Sequence, residues 1–234
     1  MQFFIFRDVF ILMNTFFDLH IHSESESLER LLRVTSRYGY SYIAVLEEDE
    51  RFTGRRIQKE AGGKPQLLRG VEIQAKDVAE LHKKLRKYRR SVDILAVRSG
   101  DDAVNRAALK DSRVDFLAHI EGGDELNHVA MRYAAESGVA VEFNAVSIIN
   151  SRRGSRSRIL QRASEMLKLA RKYDASIILT SGARTLYELR APRELMAVAR
   201  LFGMEREEAL KALTETPLRV LRRKEERVVR VMRL

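Results

Sequence analysis

Cysteine is absent from the 234 residues. That excludes a disulfide framework and every zinc or iron–sulfur site built on thiolates, and it fits an intracellular, cytoplasmic protein. Proline occurs only at 65, 192 and 217. No stretch is rich in glycine, proline and serine, so nothing marks a linker between domains. Neither G-x-G-x-x-G nor GxxxxGK[ST] is present, which argues against dinucleotide-binding and P-loop folds. A long apolar run is also missing. Arg7 and Asp8 interrupt the aromatic start Met1–Phe17, leaving it too short to span a membrane, and it lacks the basic start and cleavage site of a signal peptide. Met13 directly precedes the first convincing strand. Residues 1–14 are therefore read as an extension or a mis-assigned start, and residues 15–234 as a single domain.

Basic charge is plentiful. Lys and Arg number 43 against 33 Asp and Glu, a formal net charge of +10. Such an excess attracts polyanions, of which RNA, DNA and anionic membranes are the candidates, or it serves only solubility. Nucleic acid is the favoured reading. Hydrophobic residues make up 45% of the chain, enough for a packed core.

Apolar β-rich runs alternate with helical patterns. Strands are expected at Thr15–Ile21, Tyr42–Leu46, Leu67–Ile73, Val92–Val97, Val114–Ala118, Val139–Phe143 and Ser176–Thr180. Helices are expected at Leu28–Tyr38, at Asp77–Arg90, from an Asp124 cap to Ser137, and at about Ser155–Tyr173. In the last of these, Ile159, Ala163, Met166, Leu167 and Ala170 fall at helical spacing. Alternation of this kind predicts parallel β/α units. About seven units in so short a chain suggest a barrel or a doubly wound sheet, and the barrel is favoured. Three helices follow the last strand, at Arg193–Phe202, at Glu205–Leu213, and from Thr216-Pro217 into the basic end Arg219–Leu234.

The run Phe17-Asp18-Leu19-His20-Ile21-His22 carries the first candidate site. The period of two places Phe17, Leu19 and Ile21 on one face and Asp18, His20 and His22 on the other. In a barrel the second face would point inward, with the histidines at the C-terminal strand end where barrel sites lie. Two imidazoles at H-x-H spacing suit a zinc, manganese or iron ion. Glu72, His119 and Glu142 stand at equivalent strand ends. The alternative is a relic cluster of hydrogen-bonded barrel residues.

On the H-x-H motif, the Gly70-Val71-Glu72 strand and the Ala118-His119 strand end, the chain resembles the PHP family of metal-dependent phosphoesterases. The resemblance implies a distorted TIM-like barrel of about seven β/α units, here with extra C-terminal helices, and a metal set of His20, His22, Glu72 and His119. Two corners depart from the family pattern. Glu47-Glu48-Asp49 stands where an Asp-His pair belongs, and Ser181-Gly182-Ala183-Arg184 replaces a final Asp-x-His. A full multi-metal hydrolase site is therefore not expected, only one divalent ion as a vestige.

Asn150-Ser151-Arg152-Arg153-Gly154-Ser155-Arg156-Ser157-Arg158 is the second candidate, read as a loop entering the long helix on the same face. Arg152, Arg153, Arg156 and Arg158 suit phosphate contacts, and Ser155 is placed to cap the helix. A solvated charge run is the plainer reading. The third candidate is Thr180-Ser181-Gly182-Ala183-Arg184 with Leu189-Arg190-Ala191-Pro192-Arg193-Glu194. Barrels often bind phosphate through backbone N–H groups at that turn, here Ser181 and Gly182, ringed by Arg184, Arg190 and Arg193. Arg193 and Glu194 serve equally well as helix-capping charges. Lys83–Arg90, with Tyr88 as a stacking ring, reads equally as RNA contact or as a solvated helix face.

The region from Val139 onward, above all Thr180–Met204, resembles the component 3 family of archaeal ribonuclease P, which shares the PHP-like barrel and commonly lacks its metal motifs. The resemblance runs from Thr15 to about Leu221. It implies a protein subunit of the ribonucleoprotein that removes the 5′ leader of precursor tRNA. It further implies that the chain binds ribonuclease P RNA beside protein component 2 and the other protein subunits. The RNA would carry the magnesium site, and this chain would require no cofactor and supply no catalytic residue. The competing reading is a PHP-type phosphoesterase using His20, His22, Glu72 and His119. A DNA-binding structural protein ranks last, because nothing resembles a DNA-reading motif.

Overall fold

In a computed structural model, residues 15–22, 27–53, 65–121 and 126–232 are described, residues 224–232 by their backbone alone. Residues 1–14 and Asp124 lie outside the described residues.

Seven strands follow one another around the sheet in chain order: β1 Phe16–Ile21, β2 Tyr40–Glu48, β3 Gln66–Ile73, β4 Ile94–Arg98, β5 Phe116–Ala118, β6 Ala140–Asn144 and β7 Ile177–Thr180. Every adjacent pair is parallel. The ring is nearly closed by a parallel bridge between Ile21 and Ala183, with His22 N–H donating to Ala183 O and Gly182 N–H donating to His20 O. The barrel of about seven β/α units expected from the alternation is the observed fold.

Helices α1 Leu28–Arg37, α2 Val78–Tyr88, α3 Asp102–Lys110, α4 His128–Ser137, α5 Ala145–Asn150 and α6 Arg153–Tyr173 connect the strands. Short polar side chains start several of them. Ser27, Asp77, Asp101 and Asn127 each accept from a backbone N–H of the first turn, which satisfies donors the helix cannot. The cap of α4 is thus Asn127, not Asp124. Gly138 ends that helix at φ 70°, a conformation that glycine adopts without strain. Two helices were not expected: α3, and the short α5 that directly follows β6. After β7 come α7 Pro192–Arg200, α8 Arg206–Leu213 and α9 Glu215–Met232.

The core has two layers. The outer joins alternate strand residues such as Ile43, Val71, Leu95 and Val141 to helix residues such as Leu81, Leu109, Met131 and Leu167. The inner is made of Phe17, Leu19, Ala44, Leu46, Leu68, Ile94, Ala96, Phe116, Ala118, Ala140 and Ile178, with Val220 of α9 as its one buried helical member. So α9 stoppers the barrel from the end opposite the histidines. At that end Arg223 donates to Ser137 O and Val114 O. Nearby, Arg89 pairs with the buried Asp115 at 2.6 Å, whose carboxylate also accepts Leu95 N–H at 2.7 Å.

Gly70 faces this filled interior, and a Cβ there would come within 2.6 Å of Leu46 Cδ1. Gly70→Ala should therefore cost about 1–3 kcal/mol through overpacking. In urea unfolding, the Gly70→Ala/Leu46→Ala double variant should lose clearly less than the sum of the two singles. Strict additivity would show that the two side chains do not compete for one space.

Candidate functional site

Strand β1 does not keep its period of two. Phe17 and Leu19 belong to the inner layer, whereas Ile21 belongs to the outer one. An irregularity between Asp18 and Ile21 separates them, and such bulges re-aim side chains near sites. The expectation that Phe17, Leu19 and Ile21 share the outward face is thus corrected: Phe17 and Leu19 point inward, and Ile21 alone packs outward. His20 comes to lie inward after Leu19, with its ring 5.9 Å from that of Phe116. Asp18 is wholly buried and accepts the N–H groups of Ser181 and His20. Burial pushes its carboxyl up to about 6, against the opposing pull of those hydrogen bonds.

At the C-terminal mouth, His20, His22, Glu72 and His119 converge, with one ligand atom from each inside a span of 4.8 Å. His20 Nδ1 contacts Glu142 Oε1 at 2.6 Å, and His22 Nδ1 contacts Leu46 O at 3.1 Å. Both partners are acceptors, so both Nδ1 atoms carry the proton. The Nε2 atoms then face each other at 2.9 Å. Two lone pairs cannot meet at that distance without a positive charge shared by them, a proton between them or a metal ion bound to both. His119 Nε2 stands 3.2 Å from Glu72 Oε1, yet both atoms are buried without a formed hydrogen bond. His119 reaches this position through a left-handed backbone, φ 55°, uncommon outside glycine.

Burial pushes the His22 imidazole down to about 3, helped by the charges of His20, Arg184 and His119. His119 goes the other way. Burial would lower it, but Glu121, Glu72 and Glu142 raise it to about 10. Glu72 is held well below the usual carboxylate range, because His119, His20 and Arg98 outweigh its burial. Glu142, wholly buried, is likewise held down to about 2, chiefly by the charge and hydrogen bond of His20 against the cost of burial.

Three imidazoles and one carboxylate form a donor set for a single zinc-, manganese- or iron-like ion. Outer partners that hold the free ring nitrogens are the usual support of such ligands. Among the described residues this is the donor set for one ion. The two stretches that depart from the multi-metal pattern meet each other instead, as Arg184 pairs with Glu48 at 3.2 Å. A fixed guanidinium charge stands there.

The arginine run is placed differently from the expected loop. Most of it forms the first turns of α6, whose cap is Arg152, without a side-chain cap hydrogen bond. Ser155 lies inside the helix and is not its cap. Arg152, Arg153 and Arg158 are exposed. Arg156, also exposed, donates to the carbonyls of Ile148, Ile149 and Ser151, closing the end of α5. Asn150 donates to Glu188 Oε1 at 2.7 Å, which joins this run to the segment carrying Arg184, Arg190 and Arg193. One arginine-rich rim results. The Ser181–Gly182 turn is not open to a phosphate, however. Ser181 is buried, its N–H goes to Asp18 and that of Gly182 goes to His20 O. The capping charge of α7 is Glu194, which accepts Ala191 N–H at 2.8 Å, leaving Arg193 exposed. Tyr88 is buried and donates to Asp49 O, so it offers no ring for stacking.

Sequence reasoning understated Glu142. Its carboxylate accepts Thr180 Oγ1–H at 2.6 Å and His119 N–H at 3.1 Å, besides holding His20. The one signal in the chain was an acid between apolar neighbours in a strand.

A family model described as RNase P subunit p30 matches residues 15–229. Ribonuclease P protein component 3 of Methanococcoides burtonii is 40% identical over 216 residues, covering 90% of this chain and 88% of that protein. A chain in the cryo-EM structure of archaeal ribonuclease P with mature tRNA superposes with a TM-score of 0.75 at 23% identity, covering 90% of this chain and 91% of that one. A histidinol phosphate phosphatase of Lactococcus lactis, complexed with zinc, L-histidinol and phosphate, gives a TM-score of 0.52 at 14% identity over 82% of this chain and 95% of that one. The two structural likenesses concern the fold.

Glu142→Ala strands three donors, two of them buried, and should destabilise the chain by about 3–5 kcal/mol. Glu142→Gln, which keeps an acceptor oxygen, should lose distinctly less. Chemical denaturation reads both, and a loss under about 1 kcal/mol for the alanine variant would remove Glu142 as the anchor of the mouth.

Proposed function

The chain belongs to the ribonuclease P subunit p30 family, and from that membership we infer that it is a non-catalytic protein subunit of ribonuclease P, the ribonucleoprotein that cleaves the 5′ leader from precursor tRNA. In this reading it binds and steadies the catalytic RNA together with protein component 2 and the other protein subunits. The RNA holds the magnesium ions of the reaction. The arginine rim is the observation that carries the reading. It presents Arg152, Arg153 and Arg158 with no acid among residues 150–158, and arginine contacts phosphate through paired donors. Arg184, Arg190 and Arg193 extend it. Among the described residues no helix is long and apolar enough to cross a membrane, and the absence of cysteine supports a cytoplasmic setting.

A hydrolase working by itself is disfavoured by the donor count. Among the described residues the mouth offers ligands for one ion, and Arg184 pairs with Glu48 where the multi-metal pattern would place further ligands. We propose that His20, His22, Glu72 and His119 hold a single divalent ion as a structural pin between the ends of β1, β3 and β5. When bound, such an ion would supply the positive charge that the opposed histidines require.

Binding to a ribonuclease P RNA transcript, followed from about 50 to 200 mM salt, tests the rim. Arg152, Arg153 and Arg158 replaced together by alanine should flatten the log–log salt slope by about 0.9 for each phosphate no longer neutralised. Arg156 is left in place because it closes α5. An unchanged slope removes the rim from the RNA interface.

The pin is tested separately. Zinc or manganese added to the metal-stripped chain at about 100 times its dissociation constant should raise the unfolding free energy by about 2.7 kcal/mol. The gain should vanish in His20→Ala/His22→Ala. No shift with either ion, and none retained on elemental analysis, would sink the pin and leave the RNA reading standing.

A further inference from the structure

Tyr187 is 84% exposed, far more than Leu201 at 62% or Tyr38 at 37%, the other exposed large hydrophobic residues described. Leaving an aromatic ring in water forgoes the stabilisation its burial would bring. Yet its segment is firmly held. Arg184 N–H and Thr185 N–H both donate to Glu188 Oε2, and Glu188 Oε1 is taken by Asn150. Arg190 reaches back to Tyr187 O at 2.8 Å. Tyr40 Oη–H donates to Arg190 O at 2.7 Å, and Leu189 is buried beneath. The ring is therefore displayed from a pinned turn.

Its surroundings identify what it meets. Residues 184–193 carry three arginines against one acid, Glu188, whose two oxygens are both engaged within the fold. The α6 run adds four arginines across the Asn150–Glu188 bond. A protein partner would place acids against this rim. A nucleic acid supplies phosphates for the arginines and also a flat ring for the tyrosine, and unpaired RNA bases are recognised by such stacking.

We propose that Tyr187 is a stacking platform for an unpaired base of the ribonuclease P RNA, with the exposed Arg193 gripping a flanking phosphate. The proposal rests on the reading that this rim faces the RNA, and it adds a base contact to an interface otherwise made of charge.

The chain contains no tryptophan, so Tyr187→Trp introduces a fluorescent reporter at the platform. In a complex with component 2 and a ribonuclease P RNA transcript, with the Tyr187 form as background, that reporter should be quenched as the base stacks on it. Tyr187→Ala should weaken RNA binding by roughly 5- to 150-fold with the salt slope unchanged, since no charge is removed. Tyr187→Phe should bind within about twofold of the parent, stacking needing only the ring face. RNA bound normally by Tyr187→Ala, with Tyr187→Trp unquenched, would overturn the platform while the subunit reading survived. Loss of component 2 from the Tyr187→Ala complex at unchanged RNA affinity would overturn it in favour of a protein contact. An RNA that bound neither the parent nor any variant would instead strike the subunit reading itself.

Discussion

One buried carboxylate organises the mouth of the barrel. Glu142 accepts from Thr180 on β7, from His20 on β1 and from the backbone of His119 after β5. Four strand ends are thereby fastened to one residue with no solvent to share the load. A charge in such a place survives only if its lone pairs are satisfied. That requirement fixes the His20 ring by its Nδ1, and with it the direction of Nε2. The encounter of His20 with His22, and the convergence on Glu72 and His119, follow from that one orientation.

Around this anchor the two ends of the barrel have different chemistry. The far end is closed by apolar packing of Val220 and by Arg223 and Arg89 bonding inward. The near end is polar and ringed with arginines. The fold resembles that of a zinc-bound phosphatase, and at this mouth Arg184 pairs with Glu48. A fixed cation offers charge without an exchangeable water or an open coordination position. It can hold an anion in place, and it cannot activate a nucleophile as a metal does. The basic rim and the reduced mouth thus point the same way, towards a scaffold for a polyanion.

Much of this was legible in the chain. Strand–helix alternation gave the barrel, because burial on both faces of a parallel sheet leaves apolar runs of recognisable length. His20, His22, Glu72 and His119 were each found at a strand end, since ionisable residues beside Val, Leu and Ala stand out. What stayed hidden depended on backbone detail. The bulge that sends Leu19 and His20 inward together has no residue signature, and strict alternation therefore put Phe17 and Leu19 on the helix side when only Ile21 lies there. Ser181 reads as an open turn until the Asp18 carboxyl is seen to take its N–H. Tyr88 looks like a surface ring within Lys83–Arg90, but helical geometry turns it onto Asp49. Helix α3 escaped notice because Asp102–Lys110 is short and its buried face is partly Asn105 and Ala108.

Closure of the barrel has a temporal side. Ser181 bonds to Asp18 across 163 residues, and the interior is stoppered by Val220, later still. A ribosome adding roughly 5–20 residues per second makes β1 many seconds before its closing partner. Through that interval the first strand lacks its β7-side neighbour, and the half-built sheet carries an open edge prone to wrong pairing. Long-range closure of this kind also slows folding after release. The nascent chain therefore passes through a stage in which its histidines and Asp18 are hydrated polar groups on an incomplete wall, without their protein partners. Those same residues make premature collapse of that wall unfavourable until Ser181–Ala183 arrives to complete it.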